Sequence, residues 1–491
     1  MACQHQTVHI DSSPTAASEG IVPPPIARRQ AATRPSGRAT GNTDDHASLE
    51  SLFPPPLVLP DDGLINECDE PPQTLRSWIS LKERNAITRR QQTIYVVPPP
   101  TDDSVSPFFC SLMRHWARSV AEPAKIRCDP PPVETIRDYL EAFYHPLPVK
   151  LLPETPKFVH WEDNDDDDNT KKNTRPGPPQ YIGLQIKNNL TRITTRDTPD
   201  QQFPRQLQLN DLLDAAIAAL PRDAYAMVML THHDLYEDDD DDFCCGRAYG
   251  GSRVAVVSTA RYTPVLDKHM GVDREHTWPL SHCEEYVRRK CWEDAAAASE
   301  LPSSLLPEPT PTVLTVNATT DAKSPFANVL RSAIALPSPT PLRPRPPPNI
   351  PTDGIVTPST YATATSDFAN YWLARVVLTA SHEVGHCFGF AHCVFYACAM
   401  QATGSILEDL RQPPYLCLVC EAKLGRAVRS ASNLVGTGKG DGDEKEWLVR
   451  RYEKLVAFCE RKGMREVRMF AAYRNWLMQR IAVVKGDSVE L

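Results

Sequence analysis

The chain has 491 residues, 47 of them proline and 14 cysteine, with a formal net charge of −9. That length allows two or three ordinary domains, and no run of about 18 apolar residues is present to cross a membrane as a helix. Two acidic runs, at 162–180 and 237–242, account for the charge; the remainder is near neutral and gives no reason to expect a nucleic-acid or membrane partner. The start, MACQHQTVHIDSSP, lacks the apolar stretch of a secretory signal, which predicts an intracellular protein, cytoplasmic or nuclear, with reduced thiols.

Residues 1–63 are rich in Pro, Ser, Thr and Ala, and the tail is expected to lack a core as far as residue 75. The same holds for the acidic insertions near 162–180 and 237–242, and for a Pro-rich insertion at 301–350. Such stretches bury too little apolar surface to offset the entropy of ordering. Between them, QTIYVV at 92–97 reads as a strand stopped by prolines, and residues 133–143 show helical apolar spacing. Residues 181–186 are a further strand candidate. Residues 209–220 are an amphipathic helix with Asn210 or Asp211 near its cap, followed by strands at 225–231 and 253–259. This order predicts a mixed α/β (α+β) layer for residues 76–300.

Residues 366–388 give the strongest helix, with Ser366 as a plausible cap and Gly389 as its stop. It ends in HEVGHCFGFAH, residues 382–392. Residues four apart share one helix face, so His382 and His386 can aim at a single metal ion. Gly389 permits the reversal that brings His392 back as a third ligand. Three ligands leave one position open, as a catalytic zinc site requires. Glu383, beside the first ligand, is placed to take a proton from the attacking water and pass it to the leaving amine. A histidine pair four apart also occurs by chance on ordinary helices; the full spacing is far more selective.

The next residue opens a second set. Cys393-x4-Cys398 and Cys417-x2-Cys420 are two short-spaced pairs that together complete a closed site of four thiolates. Zinc suits that set better than an iron–sulfur cluster, since nothing nearby suggests redox work. Residues 351–425 thus read as a zinc-binding core, expected to hold two Zn2+. Residues 426–491 are predicted to end the chain in helices at 444–461 and 465–483.

The run HEVGHCFGFAHCVFYACAM, followed by CLVC, resembles the archaemetzincins (archaelysins), zinc metallopeptidases of the metzincin clan. YAMVMLTHHDLY and the strand after it resemble the family more weakly. The resemblance implies a metzincin-like domain, with a twisted mixed sheet beside the active-site helix, peptide or protein substrates, and an edge strand that pairs with substrate. It matches His382, His386 and His392 to the catalytic zinc ligands, Glu383 to the general base, and the four cysteines to a structural zinc knuckle. It also matches Met400 to a turn methionine that floors the site without ligating. Residues 253–259 are the candidate strand near the cleft. A tyrosine that some metzincins carry two residues after that methionine is Ala402 here. The alternative is a catalytically silent, zinc-stabilised interaction module.

Overall fold

The computed structural model describes residues 3, 5, 7–39, 52–63, 65, 71–101, 106–122, 129–161, 178–298, 325–336, 359–435 and 444–486. Most of the 162–180 insertion, and most of the 301–350 insertion, lie outside these residues.

Two five-stranded sheets organise the fold. In the first, the order is β2 (Val149–Leu151), β1 (Thr93–Val97), β7 (Ala224–Thr231), β10 (Val254–Ser258) and β9 (Gly246–Tyr249). All neighbours are parallel except β9, an antiparallel edge strand on β10. Every residue of β1, β7 and β10 is buried, as strands covered on both faces require. Their alternation divides two cores. Val96, Val228 and Val257 face the helix Ser359–Cys387, packing with its Val376, Val377 and Val384. Val97, Met229 and Val256 face the helix Leu209–Ala219. Each such side chain contributes roughly 1.5–3 kcal/mol by leaving water. The second sheet runs β3 (Lys157–His160), β4 (Tyr181–Ile186), β5 (Asn189–Asp197), β6 (Arg205–Gln208) and β8 (Asp234–Tyr236), antiparallel apart from β6 and β8. The mixed α/β expectation is borne out.

Several details differ from the sequence reading. The helix at 209–219 is capped by the Gln208 side chain, which accepts from the Asn210 and Asp211 amides, not by Asn210 or Asp211. A long glutamine can reach back where the usual short caps would. The helix expected from Ser366 begins at Ser359. Residues 1–75 do not form a core-free tail throughout. Leu52, Phe53 and Val58 are buried, and Trp476 Nε1 donates to Leu52 O at 3.0 Å. Their few apolar side chains borrow a core built by other elements. Within 301–350, a helix at Pro325–Ile334 buries Phe326, Val329 and Leu330 beside the final helix, Arg468–Lys485. Composition averaged over the insertion hides this short amphipathic stretch.

The helix Glu444–Cys459 and the final helix share the main core with the Ser359–Cys387 helix. Trp476 stacks on Tyr415 at 4.1 Å. Glu421, in the helix Leu418–Val435, receives Arg451 at 3.7 Å and Arg480 at 3.3 Å, all three buried. No helix among the described residues is long and apolar enough to cross a membrane.

Candidate metal centres at the end of the long helix

The helix Ser359–Cys387 is tied down before it reaches the site. Arg375 is buried and donates to both carboxylate oxygens of Asp267 at 2.7 and 2.9 Å, and Trp372 Nε1 donates to Thr259 O at 2.8 Å. At its end, Gly389 has φ +76°, the left-handed conformation that lets the chain reverse. Three contacts hold that reversal. Trp78 Nε1 donates to Phe388 O at 2.9 Å, Gln73 Nε2 to Gly389 O at 3.0 Å, and the Ala391 amide to Gln73 Oε1 at 3.1 Å. Lys423 Nζ in turn donates to Gln73 Oε1 at 2.7 Å.

The reversal brings His392 to His382 and His386, with one ring nitrogen of each within 4.8 Å of the others. His382 Nδ1 lies 2.8 Å from Ala399 O and His386 Nδ1 2.7 Å from Phe390 O. Carbonyls only accept, so both Nδ1 atoms carry a proton, and in the neutral rings both Nε2 atoms present lone pairs. Those two Nε2 atoms are 3.0 Å apart. Two facing lone pairs at that distance repel unless a cation lies between them, so the cluster fits a metal ion. Burial, then the neighbouring His386 and His392, hold His382 well below its ordinary pKa and therefore neutral, as a ligand must be.

Glu383 is buried beside this set. Burial pushes its carboxyl up to about 8, against the pull of Arg247 and with the push of Asp409 and Glu237. A cleft of about 710 Å³ opens over the cluster, walled by β9 residues Gly246–Ala248 on one side and by Thr403–Ile406 and Asp409 on the other. The strand bordering the cleft is thus β9, while β10 lies one position inward, between β9 and β7. Tyr262 OH donates to Asp409 Oδ2 and Thr403 Oγ1 to Asp409 Oδ1, both at 2.6 Å.

Two glycines have a role that periodicity does not reveal. A Cβ on Gly385 would lie 2.4 Å from Met400 Sδ, so Met400 sits directly under the histidine turn. A Cβ on Gly246 would lie 3.0 Å from Val256 O and 3.3 Å from Glu383 Cγ, so β9 packs closely against the acid at this glycine. Gly385 stands inside the motif as its fourth residue; nothing about spacing alone marks it.

Cys393, Cys398, Cys417 and Cys420 are buried with their sulfurs within 4.8 Å of one another, and Cys393 and Cys417 are 3.4 Å apart. The Met400 and Cys417 amides point at Cys398 Sγ, at 3.5 and 3.2 Å. Four converging sulfurs suit a closed zinc site. The Cys393 amide donates to Met400 O at 2.7 Å, and the Ala399 amide to Tyr415 O at 2.8 Å. The Ala399–Met400 peptide therefore touches both sets, since Ala399 O also meets His382.

His232 and His233 join neither set: His232 Nδ1 lies 2.8 Å from Thr259 Oγ1, and His233 Nε2 lies 3.1 Å from Met113 O. Asp234 is fully buried and paired with Arg261 at 2.5 Å.

A mixed α/β protein bearing an HExxHxxGxxH helix with a four-cysteine clip at its end is thus defined by fold and site together. Residues 359–426 match the model of peptidase family M54, and the archaemetzincin resemblance is borne out over this segment. Archaemetzincin-2 of Macaca fascicularis is 28% identical over 152 residues, covering 25% of this chain and 38% of that one. The archaemetzincin of Pyrobaculum aerophilum is 40% identical over 54 residues, 11% of this chain and 35% of that one. The crystal structure of archaemetzincin from Methanopyrus kandleri, 16% identical, covers 70% of this chain and 97% of that chain at a TM-score of 0.29, too loose to transfer any residue. The chain spans under two fifths of the length of the curated relatives it matches.

Proposed function

We propose that the chain is a zinc-dependent peptidase that hydrolyses peptide bonds in the cleft between β9 and the Thr403–Asp409 segment. The observation that carries this reading is the pair of Nε2 lone pairs 3.0 Å apart, each fixed by a carbonyl at Nδ1, beside the buried Glu383. His382, His386 and His392 would hold the catalytic zinc, and the four cysteines a structural one. When bound, the catalytic zinc would supply Lewis acidity and lower the pKa of water at the site. Glu383 accepts the water's proton at its carboxylate and returns it to the amine leaving group. Extended substrate fits the open edge of β9 by adding a strand to the sheet.

The test compares wild type with Glu383→Ala on a mixed peptide library, with zinc content measured in both. Cleavage by wild type alone, at equal zinc content, supports the reading. If neither protein cleaves while both hold the metal, the peptidase assignment fails and the silent interaction module takes its place.

A further inference from the structure

A third group of metal-type donors lies outside both sets. Cys3 Sγ and one ring nitrogen each of His5 and His276 all lie within 4.8 Å of one another. His5 and His276 are 8% and 4% exposed. His5 Nε2 faces Glu275 Oε1 at 3.1 Å, and His276 Nδ1 faces Asp273 Oδ2 at 2.6 Å. The opposite nitrogens, His5 Nδ1 and His276 Nε2, are buried and have no hydrogen-bond partner among the described residues. Each imidazole thus has a carboxylate on one nitrogen and, among the described residues, no partner on the other. That is how a metal-ligating histidine is oriented, with its other N–H given to a carboxylate that fixes the tautomer and strengthens the donor.

Two further features fit. Cys283 Sγ is 3.3 Å from Cys3 Sγ, close to the 3.4 Å between Cys393 and Cys417 and well beyond the roughly 2.05 Å of a disulfide. The backbone is also in place. Val8 bridges Cys283, the His9 amide donates to His282 O at 2.7 Å, and the Glu284 amide to Thr7 O at 3.0 Å. Tyr286 stacks on the His276 ring at 4.0 Å, fixing its plane.

We propose that Cys3, His5 and His276 bind a zinc-type divalent cation, with Cys283, whose sulfur lies 3.3 Å from that of Cys3, as a candidate fourth donor, and that this ion staples Cys3 and His5 onto the 273–286 segment. Mixed nitrogen and sulfur donors select a borderline-soft ion such as zinc. The site lies outside the cleft and joins two distant segments of the chain, which suits a structural role. It does not rest on the peptidase reading.

The test is metal content of the full chain, reloaded with Zn2+ after chelation and desalted. Cys3→Ser and His5→Ala each should retain one equivalent fewer than wild type, and His276→Gln should do the same. The same one-equivalent deficit should persist in a Cys417→Ser background, which separates this site from the cysteine clip. Co2+ loading adds a second readout: Cys3→Ser should weaken the sulfur-to-cobalt charge-transfer absorption still present in Cys417→Ser. Cys3 and His5 lie on the terminal segment, so their variants decide the matter if His276→Gln does not fold. Equal metal content in wild type, Cys3→Ser and His5→Ala overturns the proposal. So does an intact mass 2 Da low from a Cys3–Cys283 disulfide in the metal-loaded protein.

Discussion

The histidine cluster in the cleft and the Cys3–His5–His276 cluster place donors at similar spacing by opposite routes. The first is built from eleven consecutive residues, His382 to His392, on one helix and its turn. The second joins residues some 270 positions apart. His382 and His386 are oriented by backbone carbonyls, His5 and His276 by carboxylates. A carbonyl fixes the tautomer without adding charge, and one wall of the cleft stays open. A carboxylate adds negative charge behind the ring and makes it a stronger donor. One set is arranged to leave a ligand position free; the other is arranged to hold.

The largest expected effect breaks the cleft half of this comparison. Glu383→Ala should lower kcat/KM for peptide hydrolysis by ~10²–10⁴-fold, the range for loss of a general base, with zinc content unchanged; an activity loss matched by a metal loss would move Glu383 from chemistry to structure. Next, Cys417→Ser should remove one zinc per chain and destabilise the fold by several kcal/mol, on the order expected for a structural metal, read by denaturant unfolding. An unchanged zinc count there would sink the four-cysteine assignment. Gly385→Ala places a methyl against Met400 Sδ and should cost ~1–3 kcal/mol through overpacking, with activity falling as the floor of the cleft shifts. Wild-type stability and activity in that variant would show that Met400 adjusts freely.

The smallest effect is a pH dependence. Burial pushes the Asp409 carboxyl up to about 6, with Glu408 adding to the rise and the Thr403 and Tyr262 hydroxyls opposing it. Its value in the unfolded chain is ~3.9. The folded state therefore binds the extra proton between those values. Asp409's contribution to stability is complete below about pH 4 and is lost as pH rises to 6. The stability of wild type relative to Asp409→Asn should fall across that window by ~1–3 kcal/mol, and a flat difference in urea midpoints would contradict it. The residue after Asp409 also links the two regions, since the Trp278 amide donates to Leu410 O at 2.8 Å.

The same contrast explains what was legible in the sequence. The cleft histidines, Glu383, Gly389 and the four cysteines lie within 39 residues, where helical periodicity and chelate spacing translate directly into geometry. The buried strands at 93–97, 224–231 and 254–258 were legible as apolar β-branched runs. Contacts between distant segments were not. Gln73 and Trp78, which pin the turn before His392, lie at or beside a stretch whose composition reads as core-free. Gly246 of β9 packs against Glu383, 137 positions away. The terminal cluster carries only a C-x-H, unremarkable until His276 is placed against it. Proline-rich composition predicts how little a segment can bury by itself, and says nothing of what it can bury against others.

The Ala399–Met400 peptide has a consequence for how the chain would fill with metal. Ala399 O orients His382, while the Met400 amide and carbonyl face Cys398 Sγ and the Cys393 amide. Order gained at the cysteines stiffens a ligand-orienting carbonyl at the histidines, and linkage makes the benefit mutual: whatever factor one occupancy adds to the affinity of the other is returned in full. In a zinc titration the half-loaded species would then be scarcer than independent sites allow, and a chelator would strip the two ions nearly together.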